Sequence, residues 1–315
     1  MKGLTLTLVL AILSLKSFSL TWDEPWQDKV IKTSEYFILG KILSASDSLV
    51  RVKVIKVLGG KLSGEIIEIN SFYLLHICSS SGGHGPEFHM QRIDSCYFFI
   101  KKNKESGYGI ATPTSGFAVL KDGEVYATYR HSYHQSLVSP EVYENTMIPI
   151  FNYYHDLRYD QDYIKKLADV YLSKKPAGFA DNEIDIFFMQ HAILESIYHL
   201  KIGGYFEKIL PFLNAKDNFH AQVSAIRALS AYNTEDSKKE LLAILSESDQ
   251  SGFVKVMAVW ALGDLRTVDI KQKLSSLLSN APDESNGFGG NIMDSRVCTR
   301  IPTVKDAIEE LISKL

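Results

Sequence analysis

The sequence predicts an α+β protein in two domains, a small N-terminal β-barrel followed by a C-terminal α-α superhelix. Residues 34–128 contain short runs in which apolar and polar side chains alternate between glycines, which is typical of strands. Residues 202–265 contain two successive helix pairs that repeat with a period of 33 residues. A fixed period in this range indicates a stacked array of repeats. We therefore place the barrel at 20–135 and the helical domain at 136–315.

Residues 1–19 have the composition of a secretory signal peptide. Lys2 supplies a positive charge, the stretch from Leu4 to Leu15 is largely apolar, and Ser17 and Ser19 are small residues two positions apart. The apolar stretch is too short to span a bilayer, which favours a cleaved leader over an uncleaved N-terminal anchor. We expect export to the periplasm or the extracellular space, without stable membrane insertion after cleavage.

The overall composition limits the classes of partner. The chain has 315 residues, of which 45% are hydrophobic, so it can bury a substantial core. Its formal net charge is −3. A nucleic-acid-binding protein usually presents a basic face, so we expect no nucleic-acid partner.

The β pattern begins with the apolar run from Tyr36 to Leu43 and continues through Val50, Val52 and Val54, which alternate with charged residues. The alternation changes phase at Ile55, which predicts a β-bulge there. Further strands are predicted at 65–72, 96–101, 117–120 and 124–128. Asp122-Gly123 between the last two predicts a type I′ hairpin turn. Short strands with such a phase change favour a small closed barrel.

The order of these strands resembles the netrin-like barrel, an OB-type domain that also occurs in tissue inhibitors of metalloproteinases. The resemblance is carried by Ile38-Leu39-Gly40-Lys41-Ile42, the stretch 52–60, Gly64-Glu65-Ile66-Ile67-Glu68-Ile69 and Tyr97-Phe98-Phe99-Ile100. Those inhibitors chelate a protease metal with a cysteine at the mature N-terminus. This chain has no cysteine there, so the resemblance does not extend to inhibition by that mechanism.

The helical half begins at Ser139-Pro140-Glu141, which has the composition of a helix N-terminus. Further helices are predicted at 160–173 and 182–200. The second helices of the repeated pairs contain Ala225-Ile226-Arg227-Ala228-Leu229 and Ala258-Val259-Trp260-Ala261-Leu262. Ala192 lies 33 residues before the first of these stretches, and Ala307 lies 49 residues after Ala258. A small residue at this position allows close helix packing.

This half resembles HEAT-repeat proteins. The matching residues are Leu210-Pro211-Phe212-Leu213 in a first helix, Asp217 in the turn and the stretch 254–262 in a second helix. Gln222 and Lys255 stand where the family often has arginine, so the resemblance does not include the family's ladder of Arg–Asp contacts. HEAT arrays are usually scaffolds and binding surfaces, and the resemblance implies that role here.

Three cysteines, Cys78, Cys96 and Cys298, remain after export. An oxidising compartment permits a disulfide. We predict that Cys78 pairs with Cys96, because both belong to the β domain, and that Cys298 is free. Closing this loop contributes roughly 3 kcal/mol in the chain-entropy model.

Residues 76–89 contain the highest density of chemically reactive side chains. His76, Cys78, His84, Glu87 and His89 are zinc-ligand types. One interpretation is a zinc site formed by the three histidines with Cys78 or Glu87. A second is a nucleophilic pair of Cys78 and His84, and a third is a long loop held by a disulfide. The spacing matches no established zinc signature, so we expect no cofactor, and zinc remains the alternative.

Two other stretches could bind a ligand. The stretch 126–134 carries Arg130, Tyr133 and His134 between the two halves, where such side chains either stack on a sugar or peptide or pack one domain onto the other. The stretch 286–294 interrupts the repeat period and presents Phe288, Gly289, Gly290 and Asn291. Insertions in repeat arrays often emerge on the binding face, although a tolerated surface loop is the alternative.

These observations together predict an exported, non-enzymatic binding or scaffold protein with a protein partner. The alternative is a metal- or thiol-dependent enzyme that uses the histidine-rich loop at 76–89. The sequence makes no prediction about the oligomeric state.

Overall fold

The computed structural model describes residues 22–46, 49–70, 93–104, 106–110, 115–265, 268–284, 297–298 and 301–315. An N-terminal β-barrel is followed by a helical region, which confirms the predicted α+β class. None of the helices in these ranges is long and apolar enough to cross a membrane.

Ten strands are described, and four of them, at 22–23, 108–110, 136–138 and 297–298, were not predicted from the sequence because each is too short to establish a period. The strands are β1 (Trp22–Asp23), β2 (Tyr36–Ala45), β3 (Leu49–Gly59), β4 (Ile66–Asn70), β5 (Ser95–Lys102), β6 (Tyr108–Ile110), β7 (Phe117–Lys121), β8 (Glu124–Ala127), β9 (Ser136–Val138) and β10 (Val297–Cys298). The unanticipated β1 and β10 pair in parallel, away from the main sheet.

The barrel closes through five of these strands, in the order β2-β3-β4-β6-β5 and back to β2. All of its pairs are antiparallel except β4 and β6, which run parallel. The long strand β5 also pairs with β7, from which β8 and β9 extend the sheet. The sheet therefore continues to Val138, where the helical region begins.

The predicted phase change at Ile55 is a β-bulge. Leu39 pairs with Lys56 and Gly40 pairs with Val54, so Ile55 has no partner on β2. The predicted hairpin turn is also confirmed, since Asp122 and Gly123 have φ angles of 53° and 84°, the positive values that a type I′ turn requires.

The two faces of the barrel strands belong to different cores. The barrel interior is formed by nine buried residues: Ile38, Val50, Val52, Ile67, Ile69, Cys96, Phe98, Ile100 and Ile110. The neighbouring residues Phe37 and Phe99 point to the other face and stack with ring centroids 4.6 Å apart. They join the core of the helical region, where Phe37 approaches Tyr143 and Phe151. Strands β2 and β5 therefore contribute side chains to the cores of both halves.

The helices include a short N-terminal one that precedes the barrel and that the sequence analysis did not identify. The helices are α1 (Gln27–Thr33), α2 (Pro140–Tyr154), α3 (Asp162–Tyr171), α4 (Ile184–Leu200), α5 (Phe206–Leu213), α6 (Phe219–Leu229), α7 (Glu235–Ser246), α8 (Gly252–Leu265), α9 (Val268–Leu277) and α10 (Val304–Lys314). A 3₁₀ turn at Leu278–Asn280 follows α9.

Local sequence explains where α2 begins. The Ser139 hydroxyl accepts a hydrogen bond from the amide of Val142, and Pro140 occupies the first turn. This is the N-terminus that the Ser-Pro-Glu sequence predicts, because a serine at the N-cap position accepts a hydrogen bond from one of the unpaired amides of the first turn.

The second helix of each pair packs on that of the next pair. Helix α4 contacts α6, α6 contacts α8 and α8 contacts α10, while α3, α5, α7 and α9 each contact the second helix of their own pair. The four alanines at the repeated position, Ala192, Ala225, Ala258 and Ala307, are all buried in this row.

Candidate functional site

A cavity of about 460 Å³ lies where the N-terminal segment meets three second helices, α4, α6 and α8. Trp26 and Trp260 approach each other edge to face in its wall, with ring centroids 5.6 Å apart. The cavity is lined by Glu24, Pro25, Trp26, Asp28, Lys29, Tyr198, Arg227, Ser230, Met257, Trp260, Ala261 and Asp264. Its walls therefore combine aromatic rings with side chains of both charge signs.

Arg227 is the buried cation of this cavity, with 9% of its side chain exposed. Its Cζ lies 3.8 Å from the ring centroid of Tyr198 and 5.1 Å from that of Trp26, within the range of cation–π attraction. Its Nε donates to Glu195 Oε2 over 2.8 Å. Burial would lower the pKa of Arg227, but the charge of Glu195 raises that pKa above its ordinary value.

The carboxylates of the cavity wall have cationic neighbours of their own. Lys32 lies 2.9 Å from Asp28 Oδ2, and Lys201 lies 3.4 Å from Asp264 Oδ2. Burial raises the pKa of Asp28, but the hydrogen bond from Lys32 and the charge of Arg227 together hold that pKa below its ordinary value. In contrast, the Nη2 of Arg227 makes no hydrogen bond within the described residues. That nitrogen is buried with almost no accessible surface, so it does not face the cavity.

A second cavity of about 400 Å³ adjoins the first along α8. Trp260 and Asp264 line both cavities, so the two adjoin along α8, and we call them together the α8 groove. The second cavity is lined by Val259, Trp260, Gly263, Asp264, Ala307, Glu310, Leu311, Lys314 and Leu315. The groove therefore extends from the N-terminal segment, across α8, to the end of α10.

A charged network beneath the groove joins the two halves of the protein. Glu195 on α4 is fully buried, and its Oε1 accepts from Ser224 Oγ over 2.7 Å and lies 3.6 Å from Arg130 Nη1. Its Oε2 binds Arg227, so two guanidinium groups share one carboxylate. Arg130 Nη1 also donates to the carbonyl of His220 over 3.2 Å. The network thus ties the stretch 126–134, which joins the two halves, to α4 and α6.

Histidines surround this network in the neutral form. Burial lowers the pKa of His131 and His199 to about 4 and that of His220 to about 3, with Arg130 or Arg227 acting in the same direction. Burial also places the pKa of His134 and His191 well below the ordinary range. We call the linker from Tyr129 to His134, together with these histidines and the charged network, the junction.

The structure places the three predicted binding residues of the linker in the junction. Arg130 is fully buried and His134 is 6% exposed. Tyr133 is partly buried, with its ring centroid 5.0 Å from Arg130 Cζ. The ring of His134 stacks on that of His220 at 4.3 Å. These side chains therefore contact other parts of the same chain. None of the three lines the α8 groove, although the ring of Tyr133 approaches that of Trp26 with centroids 6.1 Å apart.

The other predicted site residues lie outside the described ranges. This applies to the zinc or nucleophile candidates His76, Cys78, His84, Glu87 and His89, and to the binding candidates Phe288, Gly289, Gly290 and Asn291. Because Cys78 lies outside the described ranges, the predicted Cys78–Cys96 disulfide stays a prediction, and so does the free Cys298, whose side chain is not described. Cys96 is buried inside the barrel, where burial raises the pKa of its thiol. The described residues contain no group of three or more His, Cys, Asp or Glu suited to hold a metal ion.

No protein-family model matches this chain, and neither a curated protein nor a solved structure is significantly similar to it.

Sequence reasoning did not identify the residues that line the groove. One signal was present: Glu195 and Arg227 are charged residues close to the repeated alanines Ala192 and Ala225, in second helices that are largely buried. A charge that the helix period directs towards the core usually has a partner there. For Trp26 no comparable signal exists, because its contact with Trp260 joins distant parts of the chain.

Proposed function

We propose that this chain is a non-catalytic binding protein that holds an extended segment of a partner protein in the α8 groove. The observation that carries this proposal is that two cavities adjoin along α8 and share Trp260 and Asp264. Two adjoining cavities fit an extended chain better than a compact metabolite. Tryptophan, tyrosine and arginine are the side chains that contribute most to the binding free energy at protein interfaces, and all three line the groove.

The arrangement of the helices supports the same proposal. We infer that the helical region is a HEAT-like stacked array, on the basis of the contacts from α4 to α6, α8 and α10 and of the buried alanine at each repeated position. Such arrays present extended binding surfaces. In this chain the second helices of the pairs contribute to the groove, which therefore lies on one face of the row that α4, α6, α8 and α10 form.

The barrel has a supporting role in this proposal. We infer an OB-type barrel from the five-strand closure and its single parallel pair. Its outer face carries Phe37 and Phe99 into the helical core, and we infer that it thereby supports the N-terminal segment, which forms one wall of the groove. Export to the periplasm or the extracellular space, and binding without a cofactor, remain part of the proposal.

The test is selection from a random peptide library displayed with free C-termini. We expect selected peptides to lose roughly 30-fold or more in affinity on Trp260→Ala, because a central tryptophan typically contributes 2 kcal/mol or more. Val170→Ala is the matched control, since Val170 lies on α3 outside the groove and is 54% exposed. Thermal unfolding of both variants shows whether the fold is retained.

Two results would overturn the proposal. One is that no peptide is enriched. The other is that the enriched peptides bind the wild type, Trp260→Ala and Val170→Ala with equal affinity, which would place their site elsewhere.

A further inference from the structure

The geometry points to a second, separate site: we propose that the cleft between α2 and the start of α3 binds a neutral saccharide. The cleft has a volume of about 550 Å³, which lies within the range of roughly 300–1,000 Å³ that small-molecule sites occupy. None of its lining residues lines the α8 groove. This inference therefore goes beyond the proposed function and does not depend on it.

Helix α2 forms one wall of the cleft and supplies hydrogen-bond acceptors. Pro149 has no amide hydrogen, so the carbonyl of Asn145, four residues earlier, lacks the usual helical hydrogen bond, and both residues line the cleft. The Nδ2 of Asn145 donates to the carbonyl of Glu141 over 2.8 Å, and that of Asn152 donates to the carbonyl of Arg158 over 3.3 Å. The side-chain oxygens of the two asparagines accept no hydrogen bond from the described residues. This wall therefore requires a ligand that donates.

The segment that leads into α3 forms the other wall and supplies two aromatic rings. Tyr159 and Tyr163 are both partly buried, and each combines an apolar ring with a polar tip. Their hydroxyl groups, which can donate and accept, have no hydrogen-bond partner within the described part of the chain. A sugar ring has the complementary pattern, because it presents an apolar C–H face together with hydroxyl groups that both donate and accept.

The charges of the cleft balance, which favours a neutral ligand. Lys56 Nζ lies 3.0 Å from Glu144 Oε2, and Tyr97 donates to Oε1 of the same carboxylate over 2.9 Å, so Glu144 already has partners. Arg158 and Asp160 are exposed, and neither forms an ion pair with the residues that the structure describes. An anion would be repelled by Asp160 and by the carbonyl oxygens, and a cation would be repelled by Arg158. A neutral ligand with hydroxyl groups avoids both repulsions.

An array of immobilised oligosaccharides tests the class of ligand, with neutral, acidic and amine-bearing chains of matched length. We expect the protein to bind neutral members, with Kd values of roughly 10 μM to 1 mM in solution. The neutral oligosaccharide that binds best is then titrated beside an N-acetylated tripeptide amide, which is a neutral probe without a sugar ring. The tripeptide should bind at least about ten-fold more weakly, because it lacks the hydroxyl groups that donate to the wall of α2.

Two variants and two controls locate the site of that oligosaccharide. Asn145→Ala removes an acceptor at an exposed helix position where alanine is well tolerated, and it should weaken binding about three- to ten-fold. Tyr163→Ala removes one of the rings and should weaken binding about ten-fold. Tyr126→Ala is the matched control, because Tyr126 is partly buried on β8 and lies outside the cleft. Trp260→Ala, in the α8 groove, should also leave sugar binding unchanged.

Pro149→Ala keeps the proposal falsifiable if Tyr163→Ala fails to fold. The new amide can donate to the carbonyl of Asn145, so the helix gains a hydrogen bond while the cleft loses an acceptor. We expect sugar binding to weaken about three- to ten-fold, with a helix content, measured by circular dichroism, that does not fall.

Two forms of the same sugar distinguish the sources of the ligand. Retention of the protein on the insoluble polysaccharide would indicate a polymer, whereas binding of the free oligosaccharide alone would indicate a soluble sugar, and both support a saccharide site. The proposal is overturned if no oligosaccharide binds, if acidic or amine-bearing chains bind best, or if the tripeptide binds as tightly as the sugar. It is also overturned if Asn145→Ala, Tyr163→Ala and Pro149→Ala all bind like the wild type. These results are independent of the proposed function, since the peptides selected for the α8 groove depend on Trp260.

Discussion

The barrel interior and the junction are both buried, but they differ in the side chains that are buried there. In the interior, the nine core residues are apolar apart from the thiol of Cys96. In the junction, Arg130, Glu195 and Arg227 are buried with histidines whose pKa values are lowered. An apolar interior stabilises whatever the pH, because hydrophobic burial involves no proton. The junction depends on the charge state of its groups, so pH and substitution should affect the two regions differently.

The largest predicted difference between the regions is in their response to acid. In the unfolded chain, histidine takes up a proton near pH 6.5, whereas His131 and His199 in the folded protein do so at about 4. Between these values the unfolded state binds more protons, so the free energy of unfolding is greatest above pH 6.5 and falls as the pH decreases. Each such histidine adds up to about 1.4 kcal/mol per pH unit to the dependence of the free energy of unfolding on pH.

Urea unfolding at a series of pH values from about 7.5 to 4 measures this loss. We expect several kcal/mol in total, with amide exchange in the linker becoming fast at a higher pH than exchange in β2 and β5. A free energy of unfolding that does not change between pH 6.5 and 5 would show that these histidines are not held neutral.

The next largest effect is expected from the charged network. Glu195→Gln keeps the shape of the side chain but leaves Arg130 and Arg227 without their shared carboxylate. Breaking a buried ion pair on one side typically costs about 3–5 kcal/mol, and chemical denaturation should show a loss in this range. Asp169→Asn is the control, because it breaks an exposed pair with Lys208 at 2.9 Å and should cost less than about 1 kcal/mol. Similar losses for the two variants would contradict the assignment of Glu195 as the centre of the network.

The smallest effect belongs to the barrel interior. Ile38→Val removes one methylene from a fully buried side chain and should lower the free energy of unfolding by about 1 kcal/mol. The sharper expectation concerns pH: the difference between this variant and the wild type should be the same at pH 7.5 and pH 5. A difference that grows on acidification would mean that the interior and the junction are coupled more closely than their packing indicates.

The comparison also explains which features could be predicted from the sequence. The barrel strands were predictable because one buried face imposes a period of two residues, and the change of phase at Ile55 located the bulge. The second helices were predictable because Ala192, Ala225 and Ala258 recur at a fixed spacing and are buried against one another. In both cases the physical constraint is local and repeats along the chain.

The junction and the groove could not be predicted in the same way. The pairing of Arg130 with Glu195, and the contact of Trp26 with Trp260, join residues that are far apart in the chain and belong to no repeating pattern. The helix α1 was missed for a related reason, because its seven residues are too few to establish a period. Long-range polar contacts are set by the tertiary fold, so one sequence contains little information about them.

The wall of the first cavity has a consequence for the synthesis of the protein. Trp26 leaves the ribosome early, but it cannot meet Trp260 until α8 has emerged, which at about 5–20 residues per second takes on the order of ten seconds or more. During this interval the barrel can form, since its strands are close in sequence, whereas the groove lacks one wall. The proposed recognition by this site therefore requires a chain that has been synthesised at least through α8, and we expect no capture of a partner before then.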